Sequence, residues 1–201
     1  MEDAPPPSIS GVSTTALAEP CYLRGGFIVM DKNIASPGNS QMDETDFKMA
    51  LRQIASSVAV ITTLSDGKHD GLTATAVCSV SATPPMMLAC INLETPVGKL
   101  ISASSVFAIN FLTEEQHMIA RLFSTQRSTP EQRFAEGRWS SLVTGAPILE
   151  NAAASFDCKV ENRVETGAHN IYFGRVEAVT SLNQEILLYR DGSFRRLVPI
   201  D

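Results

Sequence analysis

The sequence predicts a mainly β (α+β) domain in which antiparallel strands form a closed barrel with helices at its periphery. Two observations favour this class: about seven apolar runs of strand length recur along the chain, and only three or four segments show helical spacing. A third is a pair of tight-turn dipeptides, Asp66-Gly67 and Asp191-Gly192, which follow strand-like runs as in β-hairpins. With 201 residues, 44% of them hydrophobic, the chain can form one sizeable core.

The strands are predicted from β-branched and apolar runs that turn signals bound. The first covers 58–64 and precedes the Asp66-Gly67 turn. The second covers 71–81 and is unusual, because small and hydroxyl-bearing residues replace the large apolar ones expected in a central strand. The remaining strands are expected over 86–91, 155–164, 170–180 and 187–197.

Four segments carry helix signals. The first, 44–55, opens with acidic residues suited to a helix N-terminus, and its apolar residues at helical spacing are expected to pack on the barrel. The second begins at Thr95-Pro96, a cap residue followed by proline at the first helical position, and runs to about Ser104. The others are expected over 113–123, from a capping-box spacing, and near 129–134.

The first 42 residues differ from the remainder in composition. They contain Pro5-Pro6-Pro7, scattered serine and threonine, and little periodicity, so we expect a flexible N-terminal extension before a folded domain at 43–201. Short apolar patches around Tyr22 and Phe27 leave open that part of this extension docks on the domain.

Composition excludes several classes of function. A net charge of −6 without a dense basic run argues against a nucleic-acid surface. The three histidines lack metal-ligand spacing, and there is no Gly-x-Gly-x-x-Gly motif of a Rossmann fold. The four cysteines are widely spaced, and neither a signal peptide nor an apolar run of membrane-spanning length is present, so we expect a cytoplasmic protein with reduced thiols and no membrane contact.

The run between Thr73 and Ser81 is the strongest candidate for a binding site. Its small side chains leave room for a flat ligand against the backbone, and its hydroxyl groups supply hydrogen-bond donors beside it. Taken alone, the same composition also suits an ordinary structural strand.

The order of several motifs resolves this ambiguity. The chain resembles the short-chain flavin reductases with an FMN-binding split barrel, a family that includes the reductase components of 4-hydroxyphenylacetate 3-monooxygenases. The resemblance covers about 43–198 and departs from the family at Ser124, where glycine is common, and at Ala168, where many relatives have aspartate. The motifs that carry it are Gly71-Leu72-Thr73-Ala74-Thr75-Ala76-Val77-Cys78-Ser79-Val80, Thr83-Pro84-Pro85, Cys90-Ile91-Asn92, Phe107-Ala108-Ile109-Asn110-Phe111-Leu112, Ala120-Arg121-Leu122-Phe123, Glu131-Gln132-Arg133-Phe134, Gly167-Ala168-His169 and Gly174-Arg175-Val176.

The resemblance implies a Greek-key split barrel and an NAD(P)H-dependent flavin reductase. Such an enzyme takes FMN or FAD as flavin and NADH or NADPH as co-substrate, and it releases reduced flavin to a separate monooxygenase. The family precedent is a homodimer with flavin sites near the subunit interface. By resemblance, the ring is bordered by Thr73, Ala74, Thr75 and Ala76, and the ribityl and phosphate side is lined by Ser79, Val80 and Ser81.

Four more residues are candidates for this site. Asn92 and Thr95 precede a helix N-terminus, where a phosphate would meet free amides, although Thr95 alone also suits a helix cap. Phe123 has the spacing of a core residue in its helix, and the resemblance makes a position in the wall of the flavin site an equal alternative. Arg133 is a surface charge or a partner for a cofactor phosphate.

His169 is the candidate catalytic residue. By resemblance it lies near the nicotinamide or the reactive edge of the flavin. Hydride transfer needs no general base, so its expected role is positioning or stabilising charge on reduced flavin. No metal is expected.

Two other functions suit the same sequence. One is a flavin-binding protein without turnover, used for storage or sensing. The other is an oxidase of the pyridoxamine-phosphate type, which would use oxygen and no nicotinamide.

Overall fold

A seven-stranded antiparallel sheet organises the protein. The computed structural model describes residues 42–125 and 127–200. The strands follow the order β3-β2-β6-β9-β10-β5-β4 across the sheet. Their bounds are β2 Ala59–Ser65, β3 Lys68–Ala74, β4 Val77–Ala82, β5 Pro85–Asn92, β6 Val106–Phe111, β9 Ala154–Thr166 and β10 His169–Ser181.

Two small sheets accompany the large one. One joins β1 (Ser56–Ser57) to the C-terminal hairpin formed by β11 (Leu188–Arg190) and β12 (Ser193–Arg195). The other pairs β7 (Trp139–Ser141) with β8 (Pro147–Leu149). The mainly antiparallel β class with few helices is therefore confirmed.

The hairpin turns follow the predicted chemistry. Asp66 and Gly67 have φ of 50° and 73°, and Asp191 and Gly192 have φ of 49° and 74°. Two consecutive residues with positive φ match the right-handed twist of the flanking strands, and aspartate followed by glycine tolerates that conformation. Both predicted hairpins are confirmed.

The closed barrel is not confirmed. The sheet is open, because its edge strands β3 and β4 do not pair with each other. The predicted second strand at 71–81 is also wrong as a single strand: β3 ends at Ala74, β4 begins at Val77, and only Thr75 and Ala76 join them. This link carries the chain from one edge of the sheet to the other, so the sheet curls until its edges approach at one end. Side-chain alternation predicts strands but carries no information on whether two edges pair.

The helices begin where the capping signals predict. Helix α2 (Pro96–Ser104) is capped by Thr95, whose Oγ1 accepts from Gly98 N at 3.0 Å. Helices α3 (His117–Phe123), preceded by a 3-10 turn at Glu114–Gln116, and α4 (Pro130–Phe134) occupy the other predicted segments. These caps are local interactions, which is why the sequence reveals them.

Helix α1 (Glu44–Leu51) does not pack on the sheet as expected. It ends at Leu51 and has no buried residue, and Phe47 and Leu51 both remain 48% exposed. Helical spacing shows that one face is apolar, but it does not show what covers that face.

The core lies between the curled sheet and the helices. One cluster joins β2, β5, β6 and β10 to α2, and a second joins β2 to α3 and to the aromatic rings of Phe134 and Trp139. In the described residues, no helix is both long and apolar enough to span a membrane. The predicted N-terminal extension lies outside the described residues apart from Met42.

Candidate functional site

The link between the two edge strands is the most open part of the predicted site. Thr75 and Ala76 are exposed, and they line a cleft of about 500 Å³ with Ile54, Tyr189 and Gly192. The Thr75 hydroxyl makes no hydrogen bond to any other described residue, so it is free to bind a ligand. We call this two-residue segment the edge junction.

Strand register brings His169 to the same end of the sheet. Cys90 N donates to the Ala76 carbonyl at 2.9 Å, and Cys90 lies opposite Ile171 on the next strand. His169 lies two residues beyond, opposite Asn92. Because neighbouring strands are 4.7–4.9 Å apart and each residue along a strand adds about 3.3 Å, Ala76 and His169 lie roughly 12 Å apart, with the end of β5 between them.

An apolar surface extends away from this end of the sheet. Alternation along a strand places Leu88 and Cys90 on the face opposite the core, and their partners Phe173 and Ile171 lie on the same face. All four are only partly buried. We call this surface the outer face.

Thr73 and Ala74 belong to the structural side of the run. Thr73 Oγ1 donates to the Ala120 carbonyl at 2.7 Å, which fixes helix α3 against β3. Ala74 packs against the core cluster that contains Ile61 and Ile109. The Thr73 hydroxyl therefore has a partner already, unlike that of Thr75.

Ser79 and Ser81 line a different pocket from the edge junction. This pocket, of about 550 Å³, also includes Phe111 and Phe156. Between the two serines the register shifts, because Ser79 pairs with Met87 and Ser81 with Met86, which makes Val80 the extra residue of a β-bulge. The structure thus divides the predicted ring and phosphate residues between two surfaces.

The N-terminus of α2 is largely satisfied by its own chain. Asn92 Oδ1 accepts from Glu94 N at 2.8 Å, and Thr95 Oγ1 accepts from Gly98 N at 3.0 Å. Thr95 N donates to the Asn92 carbonyl at 3.3 Å, and Pro96 has no N–H. Among the described interactions this leaves only Val97 N, on a buried residue, so the geometry favours a capping role over phosphate binding.

Phe123 is placed in the core. It is 2% exposed, and its ring contacts Phe134 and Trp139 at centroid distances of 5.2 and 5.5 Å. A Cβ on Gly71 would lie 2.8 Å from the Phe123 ring, so β3 covers the phenylalanine closely. Of its two expected roles, this arrangement supports the structural one.

Arg133 is neither a surface charge nor free for a cofactor phosphate. Its Nη1 lies 2.6 Å from Asp70 Oδ1, with the two side chains 11% and 6% exposed. It also donates to the carbonyls of Gly71 and Ser128. The pair ties α4 and the preceding loop to β3. Sequence reasoning missed Asp70 because the two residues are 63 positions apart.

Asn170 is a second residue that the sequence did not single out. It is fully buried beside His169, and its Nδ2 donates to the Tyr172 hydroxyl at 3.1 Å. The same hydroxyl reaches Ser102 and the Gly98 carbonyl of α2. Asn170 Oδ1 has no partner among the described residues. The network fixes the start of β10, and with it the backbone of His169, against α2.

The thiols differ in their surroundings. Burial, reinforced by the neighbouring Asp157 carboxylate, raises the pKa of Cys158 to about 12. Cys78 is exposed on β4, and it lies opposite Leu88, so it does not face Cys90 across the strand pair. No group of histidine, cysteine and acidic side chains in the part of the chain that the structure describes could hold a metal ion.

The edge junction fits an isoalloxazine ring better than the other predicted surfaces do. The ring needs a flat approach to backbone and small side chains together with unpaired hydrogen-bonding groups. Thr75 and Ala76 provide both, whereas Thr73, Thr95 and Phe123 are committed to the fold.

The sequence matches a known protein family over most of its length. The family model described as "Flavin reductase like domain" matches residues 51–198. The chain belongs to this family. The predicted resemblance to the flavin reductases is therefore confirmed.

Individual relatives share this fold over most of their length. The FMN reductase (NADH) RutF 1 of Methylorubrum extorquens is 38% identical over 157 residues, which cover 78% of each chain. The NADH:FAD oxidoreductase SgcE6 of Streptomyces globisporus C-1027 superposes with a TM-score of 0.73 and 27% identity, over 81% of this chain and all of that one. BorF, the flavin reductase component of a bacterial two-component tryptophan halogenase, has a TM-score of 0.72 and 25% identity, over 79% of this chain and all of BorF.

Proposed function

We propose that this protein is an NAD(P)H-dependent flavin reductase that reduces FMN or FAD. The observation that carries the proposal is the exposed edge junction lying at the same end of the sheet as His169, in a chain of the flavin reductase family. RutF 1 and SgcE6 are both named for NADH, so NADH is the donor we expect to be preferred over NADPH. One relative is named for FMN and the other for FAD, which keeps both flavins as candidates.

In this proposal, the residues of the chain bind the flavin and orient its ring. Bound flavin supplies a ring that accepts hydride from the nicotinamide. The backbone of Thr75 and Ala76 lets the ring approach closely, and the Thr75 hydroxyl donates to its edge. Ser79, Val80 and Ser81 remain the proposed contacts for the ribityl and phosphate side of the flavin. Thr73 and Ala74 are proposed to flank the ring. The surroundings of the proposed site are completed by Asn92, Thr95 and Phe123.

His169 is the proposed positioning residue for the nicotinamide or for charge on reduced flavin. Its side chain is exposed, and it makes no hydrogen bond to another described residue. Its backbone is held by pairing with Asn92 and Thr166 on both neighbouring strands. A free imidazole on a fixed backbone can place a donor beside a bound ligand at little entropic cost.

We also propose that two copies of the chain form a homodimer. The outer face, which is only partly covered, and the exposed apolar side chains of α1 (Phe47, Met49 and Leu51) support this. The curled sheet with its edges joined only at the edge junction is our proposed form of the Greek-key split barrel.

The proposed partner is a separate flavin-dependent oxygenase that consumes the reduced flavin. BorF, which belongs to a two-component halogenase, supports a separate partner enzyme. We place the reaction in the cytoplasm, where the nicotinamide dinucleotide pool is available. We further propose that residues 43–201 suffice for catalysis, so that a chain beginning at Met42 reduces flavin as the full chain does.

Steady-state NADH oxidation tests the proposed activity. The purified chain is assayed with FMN and with FAD, and NADPH replaces NADH in a parallel series. We expect turnover that requires added flavin and consumes oxygen through reoxidation of the product. Saturable flavin binding without NADH or NADPH oxidation would instead indicate a storage or sensor protein and would overturn the proposal.

A further inference from the structure

A cleft outside the predicted flavin residues carries an arrangement suited to phosphate. It lies between the C-terminal hairpin and helix α3 and has a volume of about 910 Å³, within the usual range of ligand sites. Arg121, Arg195 and Arg196 all line it. We call it the arginine cleft.

The charges in this cleft favour an anion. None of the three arginines forms an ion pair with a carboxylate of the described residues, although the protein as a whole has a net charge of −6. Two carboxylates, on Glu114 and Glu115, also line the cleft. Three guanidinium groups against two carboxylates leave an excess of donors with the planar geometry that binds phosphate oxygens in pairs.

An aromatic ring lies among these charges. The guanidinium of Arg121 lies 5.5 Å from the centroid of the Phe194 ring, and the His117 ring lies 6.3 Å from the same centroid. Phe194 is only partly buried, so part of its surface is open to the cleft. An aromatic ring beside arginines provides a stacking surface for a nucleobase next to groups that bind its phosphates.

The arginine cleft and the cleft of the edge junction adjoin at the C-terminal hairpin. Gly192, at the turn of the C-terminal hairpin, lines both. Because both clefts border this turn, we place an extended ligand with one end on Thr75 and Ala76 and the other beside Arg196. The N-terminus of α2 offers a phosphate little by comparison, because its amides are already bonded within the chain.

We propose that the arginine cleft binds the adenosine diphosphate moiety of a dinucleotide whose reactive ring lies at the edge junction. The pyrophosphate contacts the arginines and the adenine stacks near Phe194. This inference rests on the proposed function. FAD and the nicotinamide dinucleotides share the moiety. For FAD the arginine cleft would replace Ser79 and Ser81 as the contact of the phosphate side, whereas for a nicotinamide dinucleotide both sites hold, and the experiment separates these two sources.

The test uses Arg121→Gln and Arg196→Gln, singly and combined, in the full chain. Arg138→Gln is the matched control, since Arg138 is a 77% exposed arginine elsewhere on the surface, paired with Glu150. Folding of each variant is checked by circular dichroism. Dissociation constants are measured by calorimetry for ADP alone, and by fluorescence for FAD and FMN. The Michaelis constant for NADH is measured at saturating FMN.

We expect ADP affinity to fall at least about tenfold in the double variant, as expected for loss of charge-assisted hydrogen bonds, and to stay unchanged in the control. A parallel loss for FAD but not FMN identifies the flavin as the source. A raised Michaelis constant for NADH, with FAD binding unchanged, identifies the nicotinamide dinucleotide.

Absence of ADP binding to the wild-type chain at millimolar concentration, or equal ADP binding by all variants, would overturn the inference. ADP titration requires no turnover. A chain that reduces FMN but does not bind ADP therefore contradicts this inference alone, and a chain that binds ADP at the arginines but never oxidises NADH or NADPH contradicts the proposed function alone.

Discussion

The two ends of the hydroxyl-rich run differ in what their side chains contact. At Thr73 the chain is packed: the hydroxyl bonds to helix α3, and Phe123 and the Asp70–Arg133 pair lie close by. Two residues later, at Thr75, the hydroxyl has no described partner and the backbone is exposed. Residues of similar type therefore serve stability on one side and remain available for binding on the other.

This comparison shows why residue type alone does not locate the site. The sequence treats Thr73 and Thr75 as equivalent hydroxyl donors. The structure separates them because β3 ends at Ala74, where the chain leaves the helices and crosses to the other edge of the sheet. We refer to the two regions as the packed side and the edge junction, and the predictions below test the contrast between them.

The largest expected effect concerns the ion pair of the packed side. Arg133→Met leaves the Asp70 carboxylate buried without its partner, which costs about 3–5 kcal/mol in the free energy of unfolding. Arg138→Met is the control: its exposed pair with Glu150 should contribute about 1 kcal/mol or less. Urea denaturation measures both. Equal, small losses would show that the Asp70–Arg133 pair does not hold the packed side together.

Thiol reactivity provides a second contrast. The raised pKa of Cys158, about 12, leaves roughly a thousandfold less thiolate near neutral pH than an ordinary cysteine has. Burial also excludes the reagent. Iodoacetamide near pH 8 should modify Cys78 and spare Cys158 in the native protein, with labelling of Cys158 rising only as the pH approaches its pKa or as the protein unfolds. Mass spectrometry of the modified peptides checks this, and early labelling of Cys158 would contradict the buried position.

His169→Ala tests the proposed role of His169, which lies at the same end of the sheet as the edge junction. Loss of one charge-assisted hydrogen bond, about 1.5–3 kcal/mol, should slow hydride transfer or raise the Michaelis constant for NADH by about ten- to 150-fold. Oxidised-flavin affinity should change little. Stopped-flow reduction at saturating flavin is the measurement, and His69→Ala, at an exposed position near the start of β3, is a histidine control. Wild-type kinetics in the His169 variant would assign it a structural or solvent-exposed role.

Much of the fold could be predicted because its signals are local. The aspartate-glycine turns, the Thr95 cap and the start of α4 each depend on residues within four positions of one another. The open sheet edge, the exposed face of α1 and the Asp70–Arg133 pair depend on contacts between distant segments, which no local pattern encodes. The same distinction holds for the candidate site. The hydroxyl-rich run is visible in the sequence, but which of its hydroxyl groups stay free depends on the position of helix α3, which the sequence does not show.

The most direct test of the proposed site compares Thr75→Val with Thr73→Val. Each substitution removes one hydroxyl from a side chain of nearly constant shape, with an expected effect of about 0.5–1.5 kcal/mol. Flavin affinity is measured by fluorescence titration, and stability by urea denaturation of the same samples. Thr75→Val should weaken flavin binding up to about tenfold and leave stability unchanged, whereas Thr73→Val should lower stability and leave flavin affinity unchanged. The reverse pattern, or equal flavin affinity in both variants and the wild type, would contradict a flavin site at the edge junction.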